Sequence, residues 1–282
     1  MAGFKVIFIA DVVGKPGRYI LSQMTKRLQF KHDVAFTIAN IENAAGGFGI
    51  TPEMARRVFA YGVDCQTSGN HIWDRNGIGE YMGREPRIIR PANYPLGAPG
   101  RGHYVATVGE VTIAVINLMG RTFMYHIDCP FRTADDILDS FDTRPDIIIV
   151  DMHAEATSEK EALAYYLDGR VSAVVGTHTH VQTADESISA RGLAYITDVG
   201  MTGSFDSILG MRKGPALDRF LTGMPKRLSV AEDDVRISGV IIDFDPQHQG
   251  RATAIERFCL SLDLSLPLKN PYEEIEDAGE AD

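Results

Sequence analysis

The sequence predicts an α/β fold with sheets that are partly parallel and partly antiparallel. Up to about residue 180, short apolar runs alternate with amphipathic helical patterns, which is typical of parallel strands joined by helices. Two pairs of apolar runs separated by short turns indicate β-hairpins, whose strands are antiparallel. Since 44% of the 282 residues are hydrophobic, the chain can bury a large core.

The individual elements follow from these patterns. Strands are predicted at residues 4–10, 34–39, 147–150 and 171–175, and a further strand ends at residue 67. Helices are predicted at residues 19–29, 52–60 and 158–167. The second helix has Thr51 as its N-cap and Pro52 in its first position. The hairpins pair residues 102–108 with 111–118 and residues 235–244 with 251–260.

No internal repeat, low-complexity segment or linker interrupts the sequence before its acidic end. We therefore expect a single domain over residues 1–265. Residues 273–282 include six acidic and no basic side chains. Residues 266–282 are accordingly predicted to form an acidic, mobile tail.

Composition limits the classes of partner and the compartment. With 28 basic and 38 acidic residues the formal net charge is −10, which argues against a protein dedicated to duplex nucleic acid. No uncharged apolar run approaches the roughly 18 residues of a membrane span, so no membrane partner is expected. Three widely spaced cysteines without a CxxC pair fit neither a disulfide framework nor a zinc ribbon. These observations favour a cytoplasmic protein without a secretion signal.

The strongest local motif is Gly176-Thr177-His178-Thr179-His180, which follows a predicted strand. Two imidazoles two residues apart on an extended segment point the same way, so they can bind one metal ion or two neighbouring ions. The motif alone is equally compatible with a pair of polar loop histidines. A metal site therefore needs further ligands nearby.

Other polar residues at strand ends could supply those ligands. Asn70 and His71 follow the strand that ends at residue 67, and Asp11 and His153 lie at the ends of two other strands. Taken singly, each has a simpler interpretation. Asn70 is a common turn residue, His153 could be a core histidine, Asp11 could cap a helix and Glu42 could be a solvated acid.

Seven oxygen and nitrogen donors lie at the ends of predicted strands: Asp11, Glu42, Asn43, Asn70, His153, His178 and His180. Because ligands collect beyond the carboxyl ends of parallel strands, we expect these side chains to meet at one sheet edge. Seven donors exceed what one zinc ion needs. A set without thiolate suits two borderline or hard cations such as Fe, Mn or Zn. A carboxylate such as Glu42 can bridge two ions.

Three motifs in this order, Gly69-Asn70-His71, a lone His153 and Gly176-Thr177-His178-Thr179-His180, resemble the calcineurin-like metallophosphoesterase superfamily over about residues 4–200. The resemblance implies a four-layer α-β-β-α sandwich of two mixed sheets. Two positions depart from the common superfamily pattern. Val13 stands where a histidine is usual, and Asn40-Ile41-Glu42-Asn43 replaces the usual Gly-Asp.

Both departures, together with residues 9–18 and 220–227, are similar to a narrower bacterial family. These are the YmdB-like phosphodiesterases, described as 2′,3′-cyclic-nucleotide 2′-phosphodiesterases. The resemblance implies one ion bound by Asp11, Glu42, Asn43 and His180, and a second ion bound by Glu42, Asn70, His153 and His178. Fe or Mn is favoured for the two ions, and Zn is an alternative. His71, next to a ligand, would be the general acid.

The implied reaction is hydrolysis of a 2′,3′-cyclic nucleotide to a 3′-nucleotide. A hydroxide held by the ions would attack phosphorus, and His71 would protonate the departing 2′ oxygen. Two alternatives remain open at this stage. The same site could serve a phosphomonoesterase or an RNA nuclease, or the chain could be a regulatory or scaffold protein that senses a nucleotide without turnover.

Weaker predictions concern the substrate and partners. Arg121 could contact the substrate phosphate, although a surface arginine after a hairpin is the simpler interpretation. Arg212, Lys213, Lys226 and Arg227 could bind RNA ends, although a solvated loop is favoured. The family resemblance further implies a homo-oligomer.

Overall fold

The computed structural model describes residues 3–266, which form two mixed β-sheets with helices on their outer faces. The strands are β1 (Phe4–Ile9), β2 (Asp11–Val12), β3 (Phe36–Asn40), β4 (Cys65–Thr67), β5 (His103–Val108), β6 (Val111–Met119), β7 (Ile147–His153), β8 (Ala173–Thr177), β9 (Ser187–Ile188), β10 (Ala194–Ile196), β11 (Met201–Ser204), β12 (Val235–Asp245) and β13 (Arg251–Ser261). The helices are α1 (Gly14–His32), α2 (Pro52–Ala60), α3 (Ile78–Arg84), α4 (Pro130–Asp139), α5 (Thr157–Leu167) and α6 (Lys213–Thr222), and a 3-10 turn spans Pro246–His248.

Both sheets combine parallel and antiparallel pairs. The first sheet has the order β2-β11-β12-β1-β3-β4, with β13 also paired to β12, and the second has the order β5-β6-β7-β8-β10-β9. Strands β1, β3 and β4 are parallel, as are β6, β7, β8 and β10. The hairpins β5–β6 and β12–β13 are antiparallel. The two predicted hairpins and the mixed character of the sheets are therefore confirmed.

The central strands are buried on both faces. In β1, Val6 and Phe8 belong to the core between the two sheets, while Ile7 and Ile9 pack in a separate cluster with the helices. Strand β7 shows the same alternation. Such continuous apolar runs are typical of parallel strands covered on both sides.

Helices complete the outer layers. Ile20 and Met24 of α1 and Val58 of α2 pack on the first sheet, whereas Ile137 of α4 and Leu163 of α5 pack on the second. The order of layers is therefore α-β-β-α, as the family resemblance implied.

The bounds of two helices can be compared with the bounds predicted from local sequence signals. Helix α2 has the predicted bounds, and its N-cap Thr51 accepts a hydrogen bond at Oγ1 from Met54 N at 3.2 Å. Helix α1 begins at Gly14 rather than at residue 19. Pro16 is tolerated there because the N–H groups of a first helical turn have no intrahelical partner.

Other elements differ from the sequence predictions. Strand β3 runs from Phe36 through Asn40 rather than over residues 34–39. Helices α3, α4 and α6 and strands β2 and β9–β11 were not predicted. The strands have only two to four residues each, which is too short for a clear period, whereas α4 does have apolar residues at helical spacing that went unrecognised. The predicted acidic tail lies, apart from Leu266, outside the described residues. Within residues 3–266, no helix combines the length and apolar character needed to cross a membrane.

Candidate functional site

Strand ends from both sheets bring the predicted ligands together. Glu42 follows β3 and Asn70 follows β4 in the first sheet, while His153 ends β7 and His178 follows β8 in the second. Because His153 lies in parallel register with Thr177, the His153 and His178 rings are neighbours. A continuous chain of contacts of 3.3 Å or less connects all seven predicted donors.

Three side-chain atoms converge on His153 Nε2. Glu42 Oε1 lies 3.1 Å from this nitrogen, Asn70 Oδ1 lies 3.0 Å from it, and His178 Nδ1 also lies 3.0 Å from it. One ring N–H cannot donate to all three atoms. Ligand atoms of Glu42, His153 and His178 lie within 4.8 Å of one another, an arrangement typical of donors gathered around a cation.

Gly69 permits this close approach. A Cβ atom at this position would overlap both His153 Nε2 and Glu42 Oε2. Glycine is therefore required before Asn70 by lack of space and not by backbone conformation, since its φ lies outside the left-handed region.

A second group of contacts surrounds Asp11, which is fully buried. Among the described residues neither of its oxygens accepts a hydrogen bond, and Oδ2 lies 3.3 Å from His180 Nε2. The same His180 nitrogen lies 3.1 Å from Asn43 Nδ2, which in turn lies 3.2 Å from Glu42 Oε1. A buried carboxylate without hydrogen bonds is costly, and a bound cation would compensate it.

Electrostatics couple Glu42 to the histidines. Burial raises the pKa of Glu42, but the adjacent His153 and His71 outweigh burial and lower it to about 2. Burial lowers the pKa of His153, but the Glu42 carboxylate outweighs it and raises this pKa to about 9. Burial and the charge of His153 lower the pKa of His178 to about 3, so the His178 ring is neutral near pH 7 and presents a lone pair.

Hydrogen bonds behind His153 fix the orientation of its ring. Thr177 Oγ1 donates to Asp151 Oδ1 at 2.7 Å, and it accepts from His153 Nδ1 at 2.9 Å. Asp151 also accepts from Asn40 Nδ2 at 3.2 Å, and burial raises its pKa to about 7. Because Nδ1 of His153 is committed to Thr177, Nε2 is directed at Glu42.

The segment that contains His178 and His180 is held by Asp198, which sequence reasoning missed. Asp198 Oδ2 accepts from Thr179 N at 3.0 Å and from Thr179 Oγ1 at 2.8 Å, and it pairs with Lys160 Nζ at 2.8 Å. His178 and His180 have φ values of 103° and 64°, a conformation that costs about 1–3 kcal/mol per residue. The contacts to Thr179, between the two histidines, stabilise this conformation.

One signal in the sequence could have identified Asp198. It follows the apolar run of β10, just as Asp11 follows the run of β1. Lys160 has no comparable signal, because it is one of several charged residues on α5 and nothing in the helix pattern marks it as fully buried.

His71 lies next to Asn70, but its side chain contacts a different group. Its Nδ1 donates to Asp74 Oδ2 at 2.8 Å, and its backbone N donates to Glu42 Oε2 at 3.0 Å. The Phe48 ring packs edge-on at 5.0 Å between ring centroids. Because Asp74 holds Nδ1, Nε2 is the ring nitrogen left to exchange a proton with a ligand.

A cavity of about 470 Å³ opens in front of these residues. We define its polar wall as Glu42, Asn43, His71, Glu155, His178 and His180. We define its apolar wall as Phe48, Ile208, Leu209, Met211, Phe220 and Leu228. The volume lies within the range of small-molecule sites, about 300–1,000 Å³.

Arg121 is not among the residues that line this cavity. It is exposed and follows β6, its backbone N donates to Glu159 Oε1 at 3.0 Å, and its guanidinium lies 3.5 Å from Cys129 Sγ. A role for Arg121 in substrate binding stays a prediction.

Three of the four basic residues considered for RNA ends have acidic partners. The pairs are Arg212 with Glu232 at 3.8 Å, Lys213 with Asp206, and Lys226 with Asp218 at 3.7 Å. All six side chains are exposed, which agrees with the interpretation of a solvated surface.

Comparison with known proteins gives matches along most of the chain. The family model described as "YmdB-like protein" matches residues 7–258. The 2′,3′-cyclic-nucleotide 2′-phosphodiesterase of Bacillus subtilis (strain 168) is 48% identical over 259 residues, which cover 92% of this chain and 98% of that protein.

Two solved structures are similar in both sequence and fold. A hypothetical protein from Thermus thermophilus has a TM-score of 0.85 and 40% identity, with 92% of this chain and 99% of that chain covered. A structure from Mycoplasma pneumoniae described as a novel phosphatase has a TM-score of 0.87 and 31% identity, with 93% of this chain and 95% of that chain covered. With its motifs, fold and relatives in agreement, the chain belongs to the YmdB-like family.

Proposed function

We propose that this chain is a metal-dependent phosphodiesterase that hydrolyses 2′,3′-cyclic nucleotides to 3′-nucleotides. The main support is the connected group of seven donors, four of which (Glu42, Asn43, His178 and His180) line a cavity together with His71. The activity named for the Bacillus subtilis relative, at 48% identity, supports the same reaction class.

The donor set fits two cations that share Glu42. Asp11, Asn43 and His180 would hold one ion with Glu42, and Asn70, His153 and His178 would hold the other. The buried Asp11 carboxylate without hydrogen bonds supports the first position. The three atoms that converge on His153 Nε2 support the second position. Carboxylate, amide and imidazole donors without thiolate suit Fe, Mn or Zn, and of these the family resemblance favours Fe or Mn.

Bound at these positions, the two cations would lower the pKa of a water molecule and neutralise charge on the phosphate. Water adds to phosphorus, the bond between phosphorus and the 2′ oxygen breaks, and the product keeps its phosphate on the 3′ oxygen. The departing 2′ oxygen needs a proton, which His71 Nε2 donates as general acid. Asp74 keeps the His71 ring in the orientation for this transfer.

The proposal is tested by elemental analysis together with hydrolysis of 2′,3′-cyclic AMP. The purified chain is assayed as isolated, after chelation, and after reloading with Mn or Fe, and the products are separated by chromatography. We expect about two ions per chain and release of 3′-AMP that chelation abolishes and reloading restores.

Each other outcome contradicts a defined part of the proposal. Release of 2′-AMP would overturn the assignment of the leaving oxygen. Two bound ions with turnover only of monoesters or oligonucleotides would favour a phosphomonoesterase or a nuclease. Two bound ions with tight nucleotide binding and no turnover would favour a regulatory protein, and no bound ion under any loading would overturn the metal centre.

A further inference from the structure

The apolar wall of the cavity has no part in the chemistry described above. Its residues come from the turn at residues 46–49, the segment 205–212, helix α6 and the chain that follows α6. A metal centre that bound only phosphate would have no need of an apolar surface beside it. This wall therefore points to an apolar portion of the substrate.

The apolar wall is attached directly to the polar wall. His180 Nδ1 donates to the backbone carbonyl oxygen of Leu209 at 3.2 Å, and Leu209 itself has a φ of 52°. At Gly47 an added Cβ would overlap Met211 Cε, so the turn at residues 46–49 packs tightly on Met211. The apolar surface is thus fixed next to a predicted metal ligand and does not belong to a separate site.

Phe220 is the most unusual member of this wall. Its side chain is 79% exposed although it lines a cavity, so its ring has a large free surface. Phe48, another member of the apolar wall, packs edge-on against His71. Free aromatic surface next to a phosphate-binding centre suits a planar base, since every base has a face that can stack.

We propose that the apolar wall binds the nucleobase of the substrate, with the base stacked on Phe220. The assignment rests on the proposed function, because it places the cyclic phosphate at the polar wall and the base at the apolar wall of one cavity. Stacking tolerates different bases, so the site selects nucleotides over other cyclic phosphodiesters and discriminates little among bases.

The test compares two substrates that have the same five-membered cyclic phosphate. 2′,3′-Cyclic AMP has a base, whereas glycerol 1,2-cyclic phosphate has none. We expect Phe220→Ala to lower kcat/KM for cyclic AMP by about 5- to 100-fold, mainly through a higher KM, since loss of one stacking contact removes binding energy. The same variant should leave kcat/KM for the base-free substrate unchanged.

Leu221→Ala is the matched control. Leu221 is the next residue on α6, is 83% exposed, and is not among the cavity-lining residues. We expect this variant to match the parent on both substrates. Phe220→Tyr keeps the aromatic face and should restore most of the preference for the nucleotide. Because both side chains are exposed, unchanged melting temperatures are expected for all three variants.

The outcomes separate this inference from the proposed function. Parent-like kinetics of Phe220→Ala on cyclic AMP, or an equal loss on both substrates, would overturn the base site while the phosphodiesterase activity stands. A parent enzyme that hydrolyses neither substrate under any metal loading would overturn the proposed function itself.

Discussion

The two walls of the cavity are built in different ways. The polar wall and the predicted ligands behind it lie at the ends of strands that are buried on both faces, and Asp11, Glu42 and His153 are almost inaccessible to solvent. The apolar wall lies on a surface helix and on loops, where Phe220 and Leu209 are 79% and 49% exposed. The difference indicates that the proposed reactive groups are placed on rigid elements, whereas the proposed base site lies on the surface.

The strongest test of this contrast is Glu42→Gln, which removes one negative charge from the centre of the polar wall. We expect kcat/KM to fall by more than about 10⁴-fold, because loss of the ions removes the nucleophile and the charge neutralisation as well as any acid catalysis. The loss should be equal for cyclic AMP and the base-free substrate. Elemental analysis should show a loss of bound metal.

Glu85→Gln is a suitable control for this change. Its carboxylate is 17% exposed and pairs with Arg87 at 2.7 Å, and neither residue lines the cavity. Full metal content and activity in Glu42→Gln would show that Glu42 is not a ligand.

His71→Asn tests proton donation separately from metal binding. We expect kcat for 2′,3′-cyclic AMP to fall by about 10²–10⁴-fold, with metal content unchanged. A phosphodiester with a nitrophenolate leaving group needs no proton on that oxygen, so its hydrolysis should be affected much less. Equal losses for the two leaving groups would contradict the assignment of His71 as general acid.

Asp198→Asn gives the smallest expected loss, because Asp198 is not a predicted ligand and contacts the polar wall through the neighbouring Thr179. We expect metal affinity to decrease about 10- to 100-fold, the range typical of residues that orient ligands. Metal affinity is measured by titrating the metal ion into the protein and recording the heat in a calorimeter. The control variant is Asp146→Asn. Asp146 Oδ2 accepts hydrogen bonds from Thr112 N and Oγ1 at 2.7 Å each. These contacts lie at the ends of the strands opposite to the predicted metal centre.

One result for these two variants would contradict the role of Asp198 in orienting the predicted ligands. If both variants lower stability equally but neither changes metal affinity, Asp198 is only a structural residue. Loss of stability in Asp198→Asn is expected in any case, since Lys160 is left buried without its partner.

Most residues of the polar wall could be predicted from the sequence, whereas those of the apolar wall could not. Strand endings and the order of motifs predicted that Asp11, Glu42 and His178 would meet, because the carboxyl ends of parallel strands share an edge. The four-layer arrangement came from the family resemblance, and the structural relatives support it.

The remaining features depend on tertiary contacts that leave no local pattern. No helix was predicted in segment 205–228, whose basic residues were interpreted as a solvated loop or an RNA contact. The contact between His180 and Leu209, which joins this segment to the polar wall, has no counterpart in the local sequence pattern. The burial of Lys160 could not be predicted from the local sequence either, because its ion-pair partner, Asp198, lies far along the chain.

The pairing of β2 with β11 has a consequence for the order of folding. Asp11 lies in register with Met201, and β1 pairs with β12 through Ile9 and Gly239. The first predicted ligand in the chain is thus held by strands from residues 201–204 and 235–245, far along the chain. Such non-local pairing is slow to form. Any cation that the proposed centre binds would therefore occupy a site whose first predicted ligand, Asp11, is placed by these non-local pairings.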